Sequence, residues 1–125
     1  MDKTEAQRQL AKESDKTLER NFDTLWAWLN GPELQSEFKF HPSRKWRFDR
    51  AYPSLMIGIE IEGGTWSGGR HNREPGFTND CEKYNSAALM GWRVFRFSGP
   101  MMNDPGKYIK PIADFLSEWH GGQDG

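Results

Sequence analysis

Residues 55–62 constrain this chain more than any other stretch. Leu55-Met56-Ile57-Gly58-Ile59-Glu60-Ile61-Glu62 alternates without a break, with Leu55, Ile57, Ile59 and Ile61 on one parity and Met56, Gly58, Glu60 and Glu62 on the other. A period of two is the signature of a strand, and its aliphatic face must be covered. The opposite face ends in two carboxylates about 7 Å apart, two strand rises. Upstream, Trp46-Arg47-Phe48-Asp49-Arg50-Ala51 reads as a second strand, joined to the first by a turn at Tyr52-Pro53-Ser54. Folding the two together brings Asp49 toward Glu60. Three carboxylates, Asp49, Glu60 and Glu62, then crowd one end of a hairpin. Like charges held together repel unless a cation sits between them. A hard divalent ion such as Mg²⁺ takes oxygen ligands and removes that repulsion.

The rest of the chain supplies helices to cover this hairpin. Residues 1–16 mix charges evenly and read as a polar N-terminal extension, either a frayed helix or a disordered arm. Leu18, Phe22, Leu25 and Leu29 then recur at helical spacing beside Trp26, until Asn30-Gly31-Pro32 stops the helix. Glu37-Phe38-Lys39-Phe40 reads as a short strand or an extended lead-in, and His41-Pro42-Ser43 as a turn. Thr78 or Asn79 can cap a second helix running to about Met90, with Gly91 closing it. Its expected buried stripe is Phe77, Cys81, Tyr84 and Ala88, while Asp80, Lys83 and Ala87 share another side. Trp92–Phe97 is apolar on both parities, as an interior strand is. Lys110-Pro111 opens a last helix with Ile112, Leu116 and Trp119 facing inward, and residues 121–125 form a flexible tail. The order helix, strand, strand, helix, strand, helix implies an α/β fold: a mixed sheet flanked by helices in one domain over residues 17–120.

Composition bounds the function classes. The chain has 125 residues, 17 basic against 18 acidic, so net charge argues neither for nor against nucleic acid. Its distribution says more. Lys39, Arg44, Lys45, Arg47 and Arg50 face the single acid Asp49 over twelve positions, which suits phosphate contact or a solvated charged edge equally well. Gly63, Gly64, Gly68, Gly69 and Gly76 carry Arg70, His71 and Arg73 between them. That loop is read as one that touches DNA or as a plain connection; it lacks the phosphate-loop pattern of nucleotide hydrolases. His41 either orients a water or a phosphate, or is structural. A lone Cys81 excludes internal disulfides and a cysteine zinc site. No apolar run reaches the ~20 residues of a membrane span, and the N-terminus is too polar for a secretory signal, so the cytoplasm is the expected compartment.

An acid on one strand followed about ten residues later by an acid-X-basic triplet on the next resembles the signature of the PD-(D/E)XK nucleases. The words around it strengthen the likeness: Phe40-His41-Pro42, Arg44-Lys45-Trp46-Arg47-Phe48-Asp49, Glu60-Ile61-Glu62-Gly63-Gly64, Asp80-Cys81-Glu82-Lys83-Tyr84-Asn85 and Gly91-Trp92-Arg93-Val94-Phe95-Arg96-Phe97. Over residues 37–98 the chain is similar to small phage-type endonucleases and, more distantly, to very-short-patch repair endonucleases. The resemblance implies a restriction-endonuclease-like sheet and a Mg²⁺- or Mn²⁺-dependent deoxyribonuclease that leaves 5′-phosphate and 3′-hydroxyl ends, in DNA processing, repair or recombination. It implies a metal site of Asp49, Glu60 and the Ile61 carbonyl, joined by Glu62, with Glu37 as a further carboxylate or a plain surface residue. DNA would be met by Arg44, Lys45, Arg47, Arg70, His71 and Arg73. A homodimer stays open, although no segment declares itself an interface.

The sequence departs from the motif where Glu62 stands in place of the usual lysine. A carboxylate cannot meet the negative charge of a phosphoryl transition state as an ammonium does. Lys83, on the second helix, is the candidate replacement; Glu62 would then hold a second metal or act as a base. Asp49, Glu60, Glu62 and Lys83 are the expected catalytic set. The competing class is a catalytically inactive nucleic-acid-binding module on a nuclease-like scaffold, served equally by the basic run and the loop. A purely structural or protein-interaction domain ranks below both, because aromatics at helical and strand spacing usually form core.

Overall fold

A computed structural model describes residues 3–62 and 76–124 of the chain. The elements are α1 (Lys3–Trp28), β1 (Gln35–Lys39), β2 (Arg47–Tyr52), β3 (Ile57–Glu62), α2 (Gly76–Leu89), β4 (Arg93–Ser98), α3 (Pro105–Tyr108) and α4 (Lys110–Asp124). The strands form one mixed sheet in the order β1-β2-β3-β4. β1–β2 and β2–β3 are antiparallel, so the parallel pair is β3–β4, whose connection carries α2. A helical crossover between parallel neighbours is the usual solution. The α/β class expected from the sequence is therefore present. No helix among the described residues is long and apolar enough to cross a membrane.

The described residues fall into two compact units, 3–33 with 61–62 and 97–124, and 34–60 with 76–96. In the first, Phe22 and Trp26 of α1 are buried, with ring centroids 5.5 Å apart, and Phe22 lies 5.3 Å from Phe97 of β4. Helix α1 runs unbroken from Lys3, so the polar extension of residues 1–16 is helical from its third residue. It ends in a left-handed Asn30 (φ 60°), with Gly31 N–H donating to the Trp26 carbonyl at 2.9 Å and Asn30 N–H to Ala27 at 3.0 Å. This is the Schellman closure that the Asn-Gly-Pro signal anticipates. In α4, Ala113 and Leu116 are buried, but Trp119 is 46% exposed. The inward stripe thus follows Ile109, Ala113 and Leu116, and Trp119, expected inside, lies beyond its edge.

In the second unit, Phe40, Phe48, Ala51 and Ala87 form the core, with Phe38, Trp46, Trp92 and Val94 packed against it. Phe40 and Phe48 stack with centroids 4.2 Å apart. Helix α2 closes by the same motif as α1: Gly91 has φ 97°, Trp92 N–H reaches the Ala87 carbonyl at 2.9 Å, and Gly91 N–H reaches Ala88 at 3.1 Å.

Two expectations are corrected here. The strand pattern does not begin at Leu55: Pro53–Leu55 form a 3₁₀ turn, Met56 is left-handed (φ 54°), and β3 starts at Ile57. The turn spends Met56 N–H on the Pro53 carbonyl at 2.9 Å, and only the Met56 carbonyl reaches across, accepting the Arg93 N–H at 2.9 Å. Nor is the stripe Phe77, Cys81, Tyr84 and Ala88 the buried face of α2. Phe77, Cys81 and Ala88 are exposed, Tyr84 is half-buried, and Ala87 is buried. Ala87 belongs to the same buried cluster as Phe48, and Lys83, four residues earlier, lies on the same side of the helix.

Candidate active site

Both sides of β3 are buried, since Ile57, Ile59 and Ile61 are covered on one parity and Gly58 and Glu60 on the other. Gly58 marks where the second face closes: a Cβ there would lie 2.6 Å from the Phe48 ring. Two residues further along β3, Glu60 is only 5% exposed. A charged group so placed needs partners, and it has three. Its Oε1 accepts hydrogen bonds from Lys83 Nζ and, at 3.0 Å, from the Tyr84 hydroxyl; its Oε2 accepts the Asp49 backbone N–H at 3.2 Å. Lys83 Nζ sits 5.9 Å from the centre of the Phe48 ring and 5.3 Å from that of Tyr84. Arg96 lies over the Tyr84 ring at 4.8 Å. Helix α2 thus delivers two consecutive side chains to one carboxylate oxygen.

Asp49 meets Glu60 through its main chain, while its carboxylate serves a different group. β2 keeps one register against β1, from Gln35↔Ala51 to Lys39↔Arg47, and one against β3, from Arg50↔Ile59 to Tyr52↔Ile57. The irregular residue is on β1: between the pairs Ser36↔Arg50 and Phe38↔Phe48, Glu37 is held at φ 51°. A non-glycine residue in this region costs on the order of 1 kcal/mol or more. The carboxylate oxygens of Glu37 and Asp49 lie within 4.8 Å of one another. Arg47 approaches Glu37 at 3.9 Å, and the Arg50 guanidinium folds back onto the Asp49 carbonyl at 2.6 Å. Two oxygen-ligand side chains thus converge beside the paired Glu60.

The remaining candidates are distributed as follows. Ile61 is buried and Glu62 half-buried at the end of β3. Arg44, Lys45 and Arg47 are exposed; Arg44 stacks 4.0 Å over Trp46 and pairs with Glu82 at 3.3 Å. His41 Nδ1 accepts the Arg44 and Ser43 backbone N–H groups at 2.9 and 3.1 Å, so the turn fixes the ring as the tautomer with its proton on Nε2. That makes His41 a donor toward an external partner and leaves no free lone pair for a base. Arg70, His71 and Arg73 lie outside the described residues. Sequence reasoning missed Tyr84 and Arg50. Tyr84 falls on the expected buried stripe of its helix and Arg50 within the basic run, although a phenol beside a buried acid wants a partner.

No protein-family model matches the chain, and neither the curated proteins nor the solved structures give a match.

Proposed function

We propose that the protein is a metal-dependent nuclease hydrolysing DNA phosphodiester bonds, with a restriction-endonuclease-like arrangement of the sheet. The supporting observation is the juxtaposition at β2 and β3: a carboxylate pair, Glu37 and Asp49, one residue's main chain away from a buried Glu60–Lys83–Tyr84 group. The donors suit a hard cation, being carboxylate oxygens with no sulfur among them. Asp49 and Glu37 would hold Mg²⁺ or Mn²⁺, joined by Glu60, the Ile61 carbonyl and Glu62. Such an ion polarises the scissile phosphate and makes a bound water more acidic.

The chain's own residues do the rest. Lys83 brings an ammonium through an apolar wall, where it is poorly screened, and meets negative charge on the phosphoryl oxygens. Tyr84 and the Asp49 N–H fix the Glu60 carboxylate, so its orientation is set before substrate arrives. Arg44, Lys45 and Arg47, with the His41 Nε2–H, form an exposed basic edge for the DNA backbone. Incubation with labelled linear, nicked, branched and single-stranded DNA, with and without Mg²⁺ or Mn²⁺, tests this reading. Metal-dependent cleavage that Asp49→Ala and Glu60→Ala remove is the expected result. Binding without cleavage under every condition would favour the inactive nucleic-acid-binding module, for which the full set of protein partners on Glu60 also speaks.

A further inference from the structure

We infer that Lys83 is a counter-ion latch on Glu60: a metal entering the site and the Lys83 ammonium compete for the same carboxylate oxygen, so metal loading hands Lys83 over to the substrate phosphate. The inference rests on the nuclease reading and adds a regulatory step to it.

The argument begins with the oxygens of Glu60. Oε2 is taken by the Asp49 main chain, and Oε1 by Lys83 and Tyr84 together. A carboxylate offers about four lone-pair directions, and three donors already occupy this one in a nearly closed site. A cation that Glu60 shared with Asp49 would have to enter beside those three donors. Tyr84 is neutral and the Asp49 N–H is fixed in the backbone. Lys83 is the positively charged one, and a divalent ion beside Oε1 repels it. The released ammonium cannot stay unpaired. Its side chain is 16% exposed and its Nζ lies near the Phe48 and Tyr84 rings, where an uncompensated charge is costly. The nearest new anion in the proposed reaction is the phosphodiester, which is where catalysis needs a cation. Binding linkage then makes the coupling reciprocal: the latch weakens metal binding, and a phosphate that captures Lys83 strengthens it.

The test uses the full chain and Mn²⁺ itself. Lys83→Gln keeps a hydrogen-bond donor for Glu60 but removes the charge. Titration calorimetry is expected to show Mn²⁺ binding tightened on the order of tenfold, within the usual range for coupled sites. Lys110→Gln removes the same charge from a solvated pair with Asp114 and should leave Mn²⁺ affinity unchanged. As a second readout, saturating Mn²⁺ should raise the acetylation rate of Lys83 in the parent chain, followed by mass spectrometry, relative to Lys110. Unchanged or weaker Mn²⁺ binding in folded Lys83→Gln overturns the latch while leaving the nuclease reading intact if the parent binds Mn²⁺ and cleaves. A parent chain that binds no Mn²⁺ overturns both.

Discussion

Glu37 with Asp49 and Glu60 with Lys83 are two carboxylate groups on adjoining strands with opposite electrostatics. The first brings two acids within 4.8 Å, one of them exposed and one half-buried, with Arg47 at 3.9 Å from Glu37 and a left-handed backbone at Glu37. The second is nearly closed to solvent and has a donor for each oxygen. The difference teaches that a carboxylate in a motif is not defined by its spacing. Glu60 is anchored by Lys83, whereas the Glu37 and Asp49 carboxylates lie beside one another, with Arg47 reaching Glu37.

The sharpest way to break the contrast is to remove one charge from the closed pair. Lys83→Met leaves Glu60 buried without its counter-ion and should cost about 3–5 kcal/mol of stability in urea unfolding. Replacing both partners, as Lys83→Met with Glu60→Leu, should recover much of that loss; a double variant no better than the single one would mean the pair is not the source of the cost. Lys83→Gln keeps the hydrogen bond, and with it the fold. It should still slow DNA cleavage by two orders of magnitude or more, about 2.7–4 kcal/mol for one lost electrostatic donor. Cleavage within a few-fold of the parent would reduce Lys83 to a structural partner and shift the burden to Glu62.

Packing at the closed site should be nearly as sensitive. Gly58→Ala drives a methyl into the Phe48 ring, and an overpacked core site of this kind should lose about 1–3 kcal/mol; an unchanged unfolding midpoint would show that Phe48 moves freely. At the acidic pair the sign reverses. Glu37→Asn removes one of two like charges and places a residue that tolerates positive φ, so the melting temperature should rise, by a free energy of about 0.2–1 kcal/mol. A fall would mean that the Arg47 contact outweighs the repulsion. The smallest effect belongs to the surface: Arg44→Ala should change stability by less than about 1 kcal/mol through its exposed pair with Glu82, and reduce the salt dependence of DNA binding by about one phosphate contact.

Much of this architecture was legible in the chain. The alternation at 57–62 forms β3, the Pro53 turn precedes it, and both long helices with left-handed endings stop at Asn30 and Gly91, where local chemistry demands it. These features depend on φ preference and on a period of two or 3.6, which neighbouring residues encode. The burial of Lys83 was not encoded in that way. A helix with Phe77, Cys81, Tyr84 and Ala88 on one stripe suggests that stripe as its inner face, yet Ala87 is the residue that joins the Phe48 cluster, and Lys83 and Tyr84 reach Glu60. Equally, strand spacing placed Asp49 near Glu60 but could not show that the link runs through the Asp49 amide, because the neighbouring strand, left-handed at Glu37, brings a second carboxylate to that of Asp49. Local sequence determined which segments are strands and helices and where they end. Which face of α2 is inside, and which acid meets Lys83 and which lies beside another acid, were decided by packing between segments distant in sequence, where the volume of one alanine and the charge of one lysine outweigh the pattern of the helix that carries them.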